Sequence, residues 1–326
     1  MEEVLEAVSP RPYVGRLAPS PTGALHLGNV RTFMIAWLRA RSAGGKVVLR
    51  MEDLDHPKDK PGADVQAVED LRWLGFDWDE EYVQSTRKDL YRSALGYLHA
   101  HGFVYPCVCS RKDVEAAQSA PHAGEQLFYP GTCRDRFASY EEAAAFLGGT
   151  RLPGWRFRVP DGTSVSFDDV FAGHYETDVS ATLGDFPVAR DAGGAGYTLA
   201  VVVDDVLMGV TEVVRGDDLL PATPPQVLLA QALAPWFAGH HSSSVPPRCP
   251  RYLHVPLVVG PDGKRLAKRH GDTRVASYRE QGKLPEEILG SLAASCGWCA
   301  AGERVSLRDL VSRFTLETVP HRPFVI

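Results

Sequence analysis

The chain has 326 residues and a hydrophobic content of 44%, enough for two or three domains with packed cores. Its 35 basic and 41 acidic residues give a net charge of −6, which excludes a broad basic field, so nucleic acid would have to meet a local patch. The acidic N-terminus lacks the apolar run of a secretory signal. The most apolar stretch is YTLAVVVDDVLMGV, which is interrupted by Asp204 and Asp205. It is shorter than the roughly 20 residues that a membrane span requires. We therefore expect a cytoplasmic protein without a membrane segment.

The N-terminal third alternates between strands and helices. YVGRLAPS indicates a short strand, and NVRTFMIAWLRARSAGG a helix that stops at Gly44 and Gly45. KVVLRMEDLD indicates a buried strand, and PGADVQAVEDLRWLGFDWDE and RKDLYRSALGYLHAHG indicate two helices. This alternation is typical of a doubly wound parallel sheet, so we predict an α/β fold whose first half covers residues 11–102.

The pattern changes at FVYPCVCS, where the chain becomes rich in Gly and Pro and the strands become short, as in WRFRVP and SVSFDDV. Residues 103–185 are therefore predicted to form an inserted subdomain. The α/β pattern returns with FPVAR, PPQVLLAQALA and YLHVPLVVG, so residues 186–258 are predicted to complete the sheet. Residues 259–326 consist of the loop PDGKRLAKRHGD and a segment that is predicted to be mainly helical.

Two segments far apart in the chain have the composition of phosphate-binding loops. APSPTGALHLGN lies between the first strand and its helix, where small residues and a helix N-terminus favour a phosphate. His26 offers a hydrogen-bond donor there, and Gly28 leaves room for a flat ring against the backbone. RLAKRHGD carries Lys268, with arginines on both sides, as mobile cations for a triphosphate. The two loops, found in this order, are a stronger indication of a triphosphate-binding site than either loop alone.

These blocks resemble class I aminoacyl-tRNA synthetases. HLGN is similar to the first motif of that class and RLAKR to the second, and RLAPSPTGALHLGN, LRMEDLD, YTLAVVVDD and EVVRGDDLL together resemble the glutamyl branch. The resemblance implies a Rossmann-like catalytic domain that uses ATP and Mg²⁺. Asn29 replaces the histidine of the fullest first motif, and Ala267 replaces a common serine, from which we expect slower or tuned chemistry rather than its loss.

The resemblance also implies roles for individual residues. His26 and Lys268 would be catalytic, and ATP would be bound by Pro19, His26, Gly28, Asn29, Lys268 and Arg269. Glutamate would contact Arg16, Leu17, Ala18, Pro19, Ser20, Glu52, Tyr197 and Arg215, with Glu52 on the ammonium group and the arginines on the side-chain carboxylate. Structural alternatives stay open: Glu52 as a turn cap, Arg215 in an ion pair with Asp217, and Tyr197 in the core.

The six cysteines do not suggest a disulfide framework in a chain of this length. Cys107, Cys109 and Cys133 surround a Pro- and Gly-rich hairpin that could bind Zn²⁺, although they could also be unligated thiols. A truncated glutamyl paralogue family has the same pattern with a tyrosine ligand, so the resemblance implies Tyr129 as the fourth ligand, with His122 as the rival. Cys296 and Cys299 lie in or after a helical segment, where packing is expected rather than redox chemistry.

Only about 55 residues follow RLAKRHGD, so we expect no anticodon-binding domain. The chain is similar to the glutamyl-queuosine tRNA(Asp) synthetases, the truncated paralogue family, which implies tRNA-independent activation of L-glutamate and its transfer to the queuosine base of tRNA(Asp). The alternatives are a truncated glutamyl-tRNA synthetase that charges tRNA(Glu), an inactive RNA-binding paralogue, and a nucleotidyltransferase of related fold. We expect a monomer.

Overall fold

The structure is a computed structural model that describes residues 12–54, 60–117, 127–191, 194–240, 248–266 and 271–326. Its N-terminal part is a parallel sheet whose strands lie in sequence order, with helices as crossovers. This agrees with the strand–helix alternation predicted for this part of the chain. The elements are β1 (Val14–Leu17), α1 (Leu27–Ser42), β2 (Lys46–Met51), α2 (Ala63–Trp73), β3 (Glu80–Val83) and α3 (Lys88–Ala100).

The middle of the chain forms an antiparallel sheet and a separate hairpin. The sheet has the strand order β4-β5-β8, and β6 pairs with β7 in the hairpin. Because β8 begins at Phe186, the sheet crosses the boundary that we predicted at residue 185. The elements are β4 (Val104–Cys107), α4 (Arg111–Ala117), α5 (Tyr140–Phe146), β5 (Gly154–Phe157), β6 (Ser164–Asp169), β7 (Gly173–Asp178), α6 (Val179–Thr182) and β8 (Phe186–Ala189).

The parallel sheet continues on the other side of β1. The N–H of Thr211, just before β9, donates to the carbonyl oxygen of Val14 (2.9 Å), and β9 pairs with β10 in parallel. The chain therefore winds in both directions from β1, and ligands bind such sheets at this reversal, beyond the C-terminal strand ends. The elements are α7 (Tyr197–Leu207), β9 (Glu212–Gly216), α8 (Thr223–Ala232), α9 (Ala234–His240) and β10 (Arg251–Val255).

The C-terminal residues pack against the helix that follows β1. Leu289 and Leu310 share a buried apolar core with Met34 and Leu38 of α1. Each such leucine contributes about 1.5–3 kcal/mol by leaving water. The remaining elements are β11 (Val258–Val259), α10 (Val275–Glu280), α11 (Pro285–Ala294), α12 (Leu307–Val311) and β12 (Phe324–Val325), which pairs with β11.

A second core joins the inserted sheet to the α/β half. Trp155 and Phe157 of β5 are buried together with Leu98 of α3, Val203 of α7 and Leu229 of α8. The β6–β7 hairpin contacts the parallel sheet as well, because the N–H of Val170 donates to the carbonyl of Tyr252 (2.9 Å). The insertion is thus continuous with the core of the catalytic half. Among the described residues, no helix has the length and apolar character needed to cross a bilayer.

Candidate active site

The turn before α1 is fixed by two hydrogen bonds between side chains and backbone. His26 is the N-cap residue, and its Nδ1 accepts from the N–H of Gly28 (3.1 Å), while Asn29 Oδ1 accepts from the N–H of His26 (3.3 Å). Because Nδ1 is an acceptor, the proton of the neutral ring lies on Nε2. Burial, helped by the charge of Arg265, lowers the pKa of His26. The ring is therefore a neutral Nε2–H donor at the helix N-terminus.

Glycine at position 28 allows this cap. A Cβ at that position would lie 3.0 Å from both Cε1 and Nδ1 of His26, tighter than ordinary van der Waals contact. A side chain at position 28 would therefore crowd the imidazole, and the room expected there for a ligand ring stays a prediction. Asn29 completes the cap by accepting from the N–H of His26. Its contact with ATP stays a prediction.

The His26 turn is paired with the segment that follows the predicted lysine loop. The N–H of Leu27 donates to Thr273 (3.1 Å), and the N–H of Val275 donates to Leu25 (2.9 Å). Leu266 and Gly271 flank the loop, and both line a cavity of about 860 Å³ together with His26. Lys268 and Arg269, like Ala267, lie outside the described residues. The two motifs are thus brought together at their edges.

An ion network fixes Glu52 at the end of β2. Arg50 is fully buried, and its Nη2 donates to Glu52 Oε1 (2.9 Å) while Nη1 donates to Asp205 Oδ1 (2.6 Å). Burial raises the pKa of Glu52, and this outweighs the opposing charges of Arg50 and Arg16. Such a carboxylate gains from a second cation, as an amino-acid ammonium group would supply. The contact is to Arg50, so the structure does not favour the turn-cap alternative for Glu52.

Two further buried arginines differ in how their donors are paired. Arg16 Nη1 donates to the carbonyl of Val214 (3.0 Å), and Arg215 donates to His254 Nε2 (2.9 Å) and Thr223 Oγ1 (2.8 Å). Within the described part of the chain, Arg16 Nε and Arg215 Nη1 are buried without a hydrogen-bond partner, but Arg16 Nε forms an ion pair with Asp205 Oδ1 at 3.5 Å. The Nη1 of Arg215 is therefore the uncompensated donor, and such a donor favours an anionic ligand. Neither bond of Arg215 involves Asp217.

One cavity of about 260 Å³ contains most of the predicted glutamate and ATP residues. Tyr197 begins α7 and is 44% exposed, so it lies at the cavity wall rather than in the core. Leu17 and Pro19 are buried beside the cavity, and the Pro19 carbonyl accepts from the N–H of Glu52 (2.9 Å). The predicted residues in the cavity lining are Arg16, Ala18, Ser20, His26, Gly28, Asn29, Glu52, Tyr197 and Arg215.

Sequence reasoning missed Arg50, Asp205 and His254, which support these groups. Asp205 lies in the apolar run of α7, and its neighbour Asp204 is also buried, accepting from Tyr91 (2.7 Å). Two carboxylates within such an apolar run indicate that other residues pair with them, because charges buried in a helix require partners. The identity of those partners depends on residues from distant strands, which no local pattern reveals.

The cysteine cluster lies apart from this cavity, next to β4. The Sγ atoms of Cys107, Cys109 and Cys133 lie within 4.8 Å of one another, and Cys109 and Cys133 are 3.5 Å apart. The hydroxyl oxygen of Tyr129 is 3.4 Å from Cys107 Sγ and 3.6 Å from Cys109 Sγ. The hydrogen bond between Cys107 and Cys133 lowers the pKa of Cys133 and raises the pKa of Cys107. His122 lies outside the described residues.

These donors fit a tetrahedral zinc site. With Zn–S of about 2.3 Å and Zn–O of about 2.0 Å, sulfur atoms lie about 3.8 Å apart and sulfur and oxygen about 3.5 Å apart. The distances from Cys109 Sγ to Cys133 Sγ (3.5 Å) and to the Tyr129 hydroxyl (3.6 Å) are close to these values. Arg156 lies over the Tyr129 ring (3.7 Å to the centroid), and its Nε donates to Cys107 (3.2 Å), so a cation adjoins the thiols.

Two known proteins are similar to this chain over more than nine-tenths of its length. A protein of Symbiobacterium thermophilum named Glutamyl-Q tRNA(Asp) synthetase is 46% identical over 320 residues, covering 95% of this chain and 94% of that protein. Glutamate--tRNA ligase 1 of Acidithiobacillus ferrooxidans is 40% identical over 307 residues, covering 93% of this chain but 61% of the ligase.

A solved structure of a glutamate tRNA ligase is also similar to this chain. The crystal structure of a glutamate tRNA ligase from Elizabethkingia meningosepticum in complex with its amino acid has a TM-score of 0.78 and 27% identity, and the match covers 97% of this chain and 67% of the ligase. Residues 13–323 match the family model described as tRNA synthetases class I (E and Q), catalytic domain. The chain therefore belongs to the class I tRNA synthetase family for glutamate and glutamine.

Proposed function

We propose that this chain is an ATP-dependent ligase that activates L-glutamate as glutamyl-adenylate without tRNA and transfers glutamate to the queuosine base at the wobble position of tRNA(Asp). The observation that carries the activation step is the buried Arg215, whose Nη1 has no hydrogen-bond partner among the described residues, in one cavity with Arg16, His26 and Glu52. The match to a Glutamyl-Q tRNA(Asp) synthetase over nearly its whole length supports the transfer step.

The residues of the cavity account for activation. Glu52 holds the ammonium group of glutamate, and the guanidinium groups of Arg16 and Arg215 hold its side-chain carboxylate. The α-carboxylate then attacks the α-phosphorus of ATP and pyrophosphate leaves. The Nε2–H of His26 and the N-terminus of α1 donate to the phosphoryl oxygens, where negative charge accumulates in the transition state.

The loop residues complete the phosphate site in this proposal. Lys268 and Arg269 contact the β- and γ-phosphates, and Mg²⁺ supplies charge neutralisation between those phosphates when it is bound. Pro19, Gly28 and Asn29 line the ATP side of the turn, while Leu17, Ala18 and Ser20 adjoin the amino acid. Two arginines disfavour glutamine, because a neutral amide cannot balance their charge and leaves their donors poorly paired.

The inserted subdomain binds one structural Zn²⁺ in this account, through Cys107, Cys109, Cys133 and Tyr129. The short donor distances support that assignment. The bound metal would fix the hairpin that shapes the surface for RNA. The cytoplasmic location, the monomeric state and the domain boundaries stay predictions.

The acceptor can be tested directly with labelled glutamate. We expect the enzyme with ATP to label tRNA(Asp) that carries queuosine, and to label neither the same tRNA without queuosine nor tRNA(Glu). Labelling of tRNA(Glu) alone would contradict the proposal and support a truncated glutamyl-tRNA synthetase. Binding of RNA with no labelling and no glutamate-dependent pyrophosphate exchange would indicate an inactive paralogue.

A further inference from the structure

Arg215 is held by a buried chain of hydrogen bonds that starts in the inserted hairpin. Asp169, the last residue of β6, lies 2.6 Å from Nδ1 of His254 on β10. The other ring nitrogen, Nε2, lies 2.9 Å from Nε of Arg215 on β9. The three residues are 4%, 1% and 3% exposed. Three separate strands thus contribute to one line of contacts that ends at the amino-acid cavity.

The protons in this chain can be assigned from chemistry. The Nε–H of an arginine only donates, so His254 Nε2 must accept and the ring proton must lie on Nδ1, facing Asp169. Burial lowers the pKa of His254, an effect larger than the opposing influence of Asp169. Burial also disfavours the charge of Asp169, but hydrogen bonds from His254 and from backbone N–H groups outweigh it and lower the pKa of Asp169. The state is therefore carboxylate, neutral imidazole and guanidinium.

The hydrogen bonds of Arg215 restrict its guanidinium group to one orientation. Nε is bound by His254 and Nη2 by Thr223 (2.8 Å), so rotation of the plane would break both bonds. Nη1 has no partner in the described ranges, although the residue lines the cavity. A planar group fixed at two nitrogens presents its third nitrogen in a defined direction, and the side-chain carboxylate of a ligand requires such a direction.

We propose that Asp169 and His254 are positioning residues that hold Arg215 in the orientation needed to bind the side-chain carboxylate, and so set the preference for glutamate over glutamine. The inference rests on the proposed function, because it assigns Arg215 to that carboxylate. It gives the hairpin of the insertion a part in amino-acid recognition. Asp169 contacts no substrate in this account and acts only through the tautomer of His254.

Asp169→Asn tests this link with little change of shape. Asp169 Oδ1 accepts from the N–H groups of Phe171 (3.0 Å), Ala172 (2.8 Å) and His254 (3.1 Å), and an asparagine oxygen can keep those bonds. Its amide would donate to His254 Nδ1, which moves the ring proton to Nε2, where it opposes the N–H of Arg215.

The readout is steady-state pyrophosphate exchange with glutamate and with glutamine. For Asp169→Asn we expect the KM for glutamate to rise about tenfold or more, because a contact made equally in ground and transition states is weakened. The kcat at saturating glutamate should stay within about threefold of the wild type, and the preference for glutamate in kcat/KM should fall about tenfold. A purely structural role would reduce the amount of active enzyme and leave KM unchanged.

The same hairpin supplies a matched control. Asp168 and His174 form a similar pair (2.8 Å), but their side chains are 89% and 62% exposed. We expect Asp168→Asn to leave the KM for glutamate and the stability unchanged.

A second pair of variants covers the case in which Asp169→Asn does not fold. His254→Gln keeps an acceptor near the Nε2 position and should retain most of the glutamate affinity, whereas His254→Leu should lose that affinity.

Two results would overturn the positioning role. One is a folded Asp169→Asn enzyme with wild-type KM for glutamate and wild-type rejection of glutamine. The other is equal KM values for His254→Gln and His254→Leu. Absence of glutamate-dependent exchange in the wild-type enzyme is a different result, which would refute the proposed function and the positioning role with it.

Discussion

Three buried arginines at the strand ends differ in how their charge is compensated. Arg50 is paired with two carboxylates, so it adds no net attraction for an anion. Arg16 Nε lies 3.5 Å from Asp205 Oδ1, whereas Nη1 of Arg215 is buried and no described residue accepts from it. That donor can pair with a carboxylate oxygen of a ligand. In the proposed function, the preference for an acidic amino acid therefore rests mainly on Arg215.

His26 is expected to stabilise the transition state rather than the substrates. His26→Ala should reduce the kcat of pyrophosphate exchange by about 10²–10³, because one donor to the developing phosphoryl charge is lost. The KM for glutamate should change little, since the proposal places the ring beside the phosphates of ATP rather than beside glutamate. Rapid-quench or steady-state exchange assays measure both values. A variant with wild-type kcat would exclude His26 from the reaction centre.

Arg50 should be a residue on which folding depends. Arg50→Met leaves Glu52 and Asp205 buried without their main partner, which typically costs about 3–5 kcal/mol of unfolding free energy. Arg92→Met removes an ion pair with Asp89 whose side chains are 58% and 93% exposed, and it should change stability by less than about 1 kcal/mol. Urea unfolding of both variants provides the comparison. Equal effects would show that the buried network adds no special stability.

For individual residues, the sequence predicted the groups that line the cavity better than the groups that support them. His26, Glu52 and Arg215 lie in recognisable blocks, and the structure brings all three to one cavity. Their roles stay predictions, as do those of Lys268 and Arg269. Asp169 and His254 could not be predicted, because their partners come from different strands and the pairing exists only after folding.

At the level of elements, the parallel strands were predictable and the insertion was only partly so. Helices with apolar periodicity between short buried strands predicted the α/β half, which the structure shows as a parallel β1-β2-β3 sheet and a parallel β9–β10 pair. The pairing of β5 with β8 was not predictable, because antiparallel partners far apart in sequence leave no local signal. The same pairing makes the insertion share a core with α3 and α7.

The zinc assignment is an element-scale prediction. Cys133→Ser should lower the zinc content from about one ion per chain to a small fraction and make the segment around Tyr129 sensitive to protease, because a structural metal contributes its binding energy to folding. Cys249→Ser, which changes an exposed cysteine, should retain the ion. Metal analysis of purified protein and limited proteolysis measure these outcomes. Full zinc content in Cys133→Ser would remove it from the ligand set.

The fourth ligand can be decided with two further variants. Tyr129→Phe should weaken zinc binding, because the hydroxyl oxygen lies at a ligand-like distance from two thiols. His122→Ala should leave the zinc affinity unchanged. Competition with a chelator gives the affinity of each variant. The opposite ranking would assign the position to the imidazole.

The whole molecule should lose stability in mild acid. The pKa of His254 is lowered from 6.5 by burial, with Asp169, Arg215 and Arg16 as the charged groups that affect it. Below about pH 6.5 the unfolded chain therefore binds a proton that the folded protein resists, so the unfolding free energy falls as the pH falls, by up to about 1.4 kcal/mol per pH unit for this group. Denaturant unfolding between pH 7.5 and about 5 should show a shallower decrease for His254→Gln. An identical pH dependence would contradict the assignment.

The fold joins two distant segments of the chain around one cavity. The His26 turn and the segment after the lysine loop are hydrogen-bonded through Leu27 and Thr273, and the arginine-lined cavity adjoins the same turn. The proposal places ATP and glutamate in this cavity, with every contact made by the protein. We therefore expect activation to be a property of the protein alone.

Glutamate-dependent exchange of labelled pyrophosphate into ATP, measured in enzyme freed of all RNA, tests that claim most directly. We expect steady exchange with L-glutamate, none with L-glutamine or D-glutamate at equal concentration, and no stimulation when tRNA is added. Exchange that appears only after tRNA is supplied, or none with any amino acid, would contradict the account.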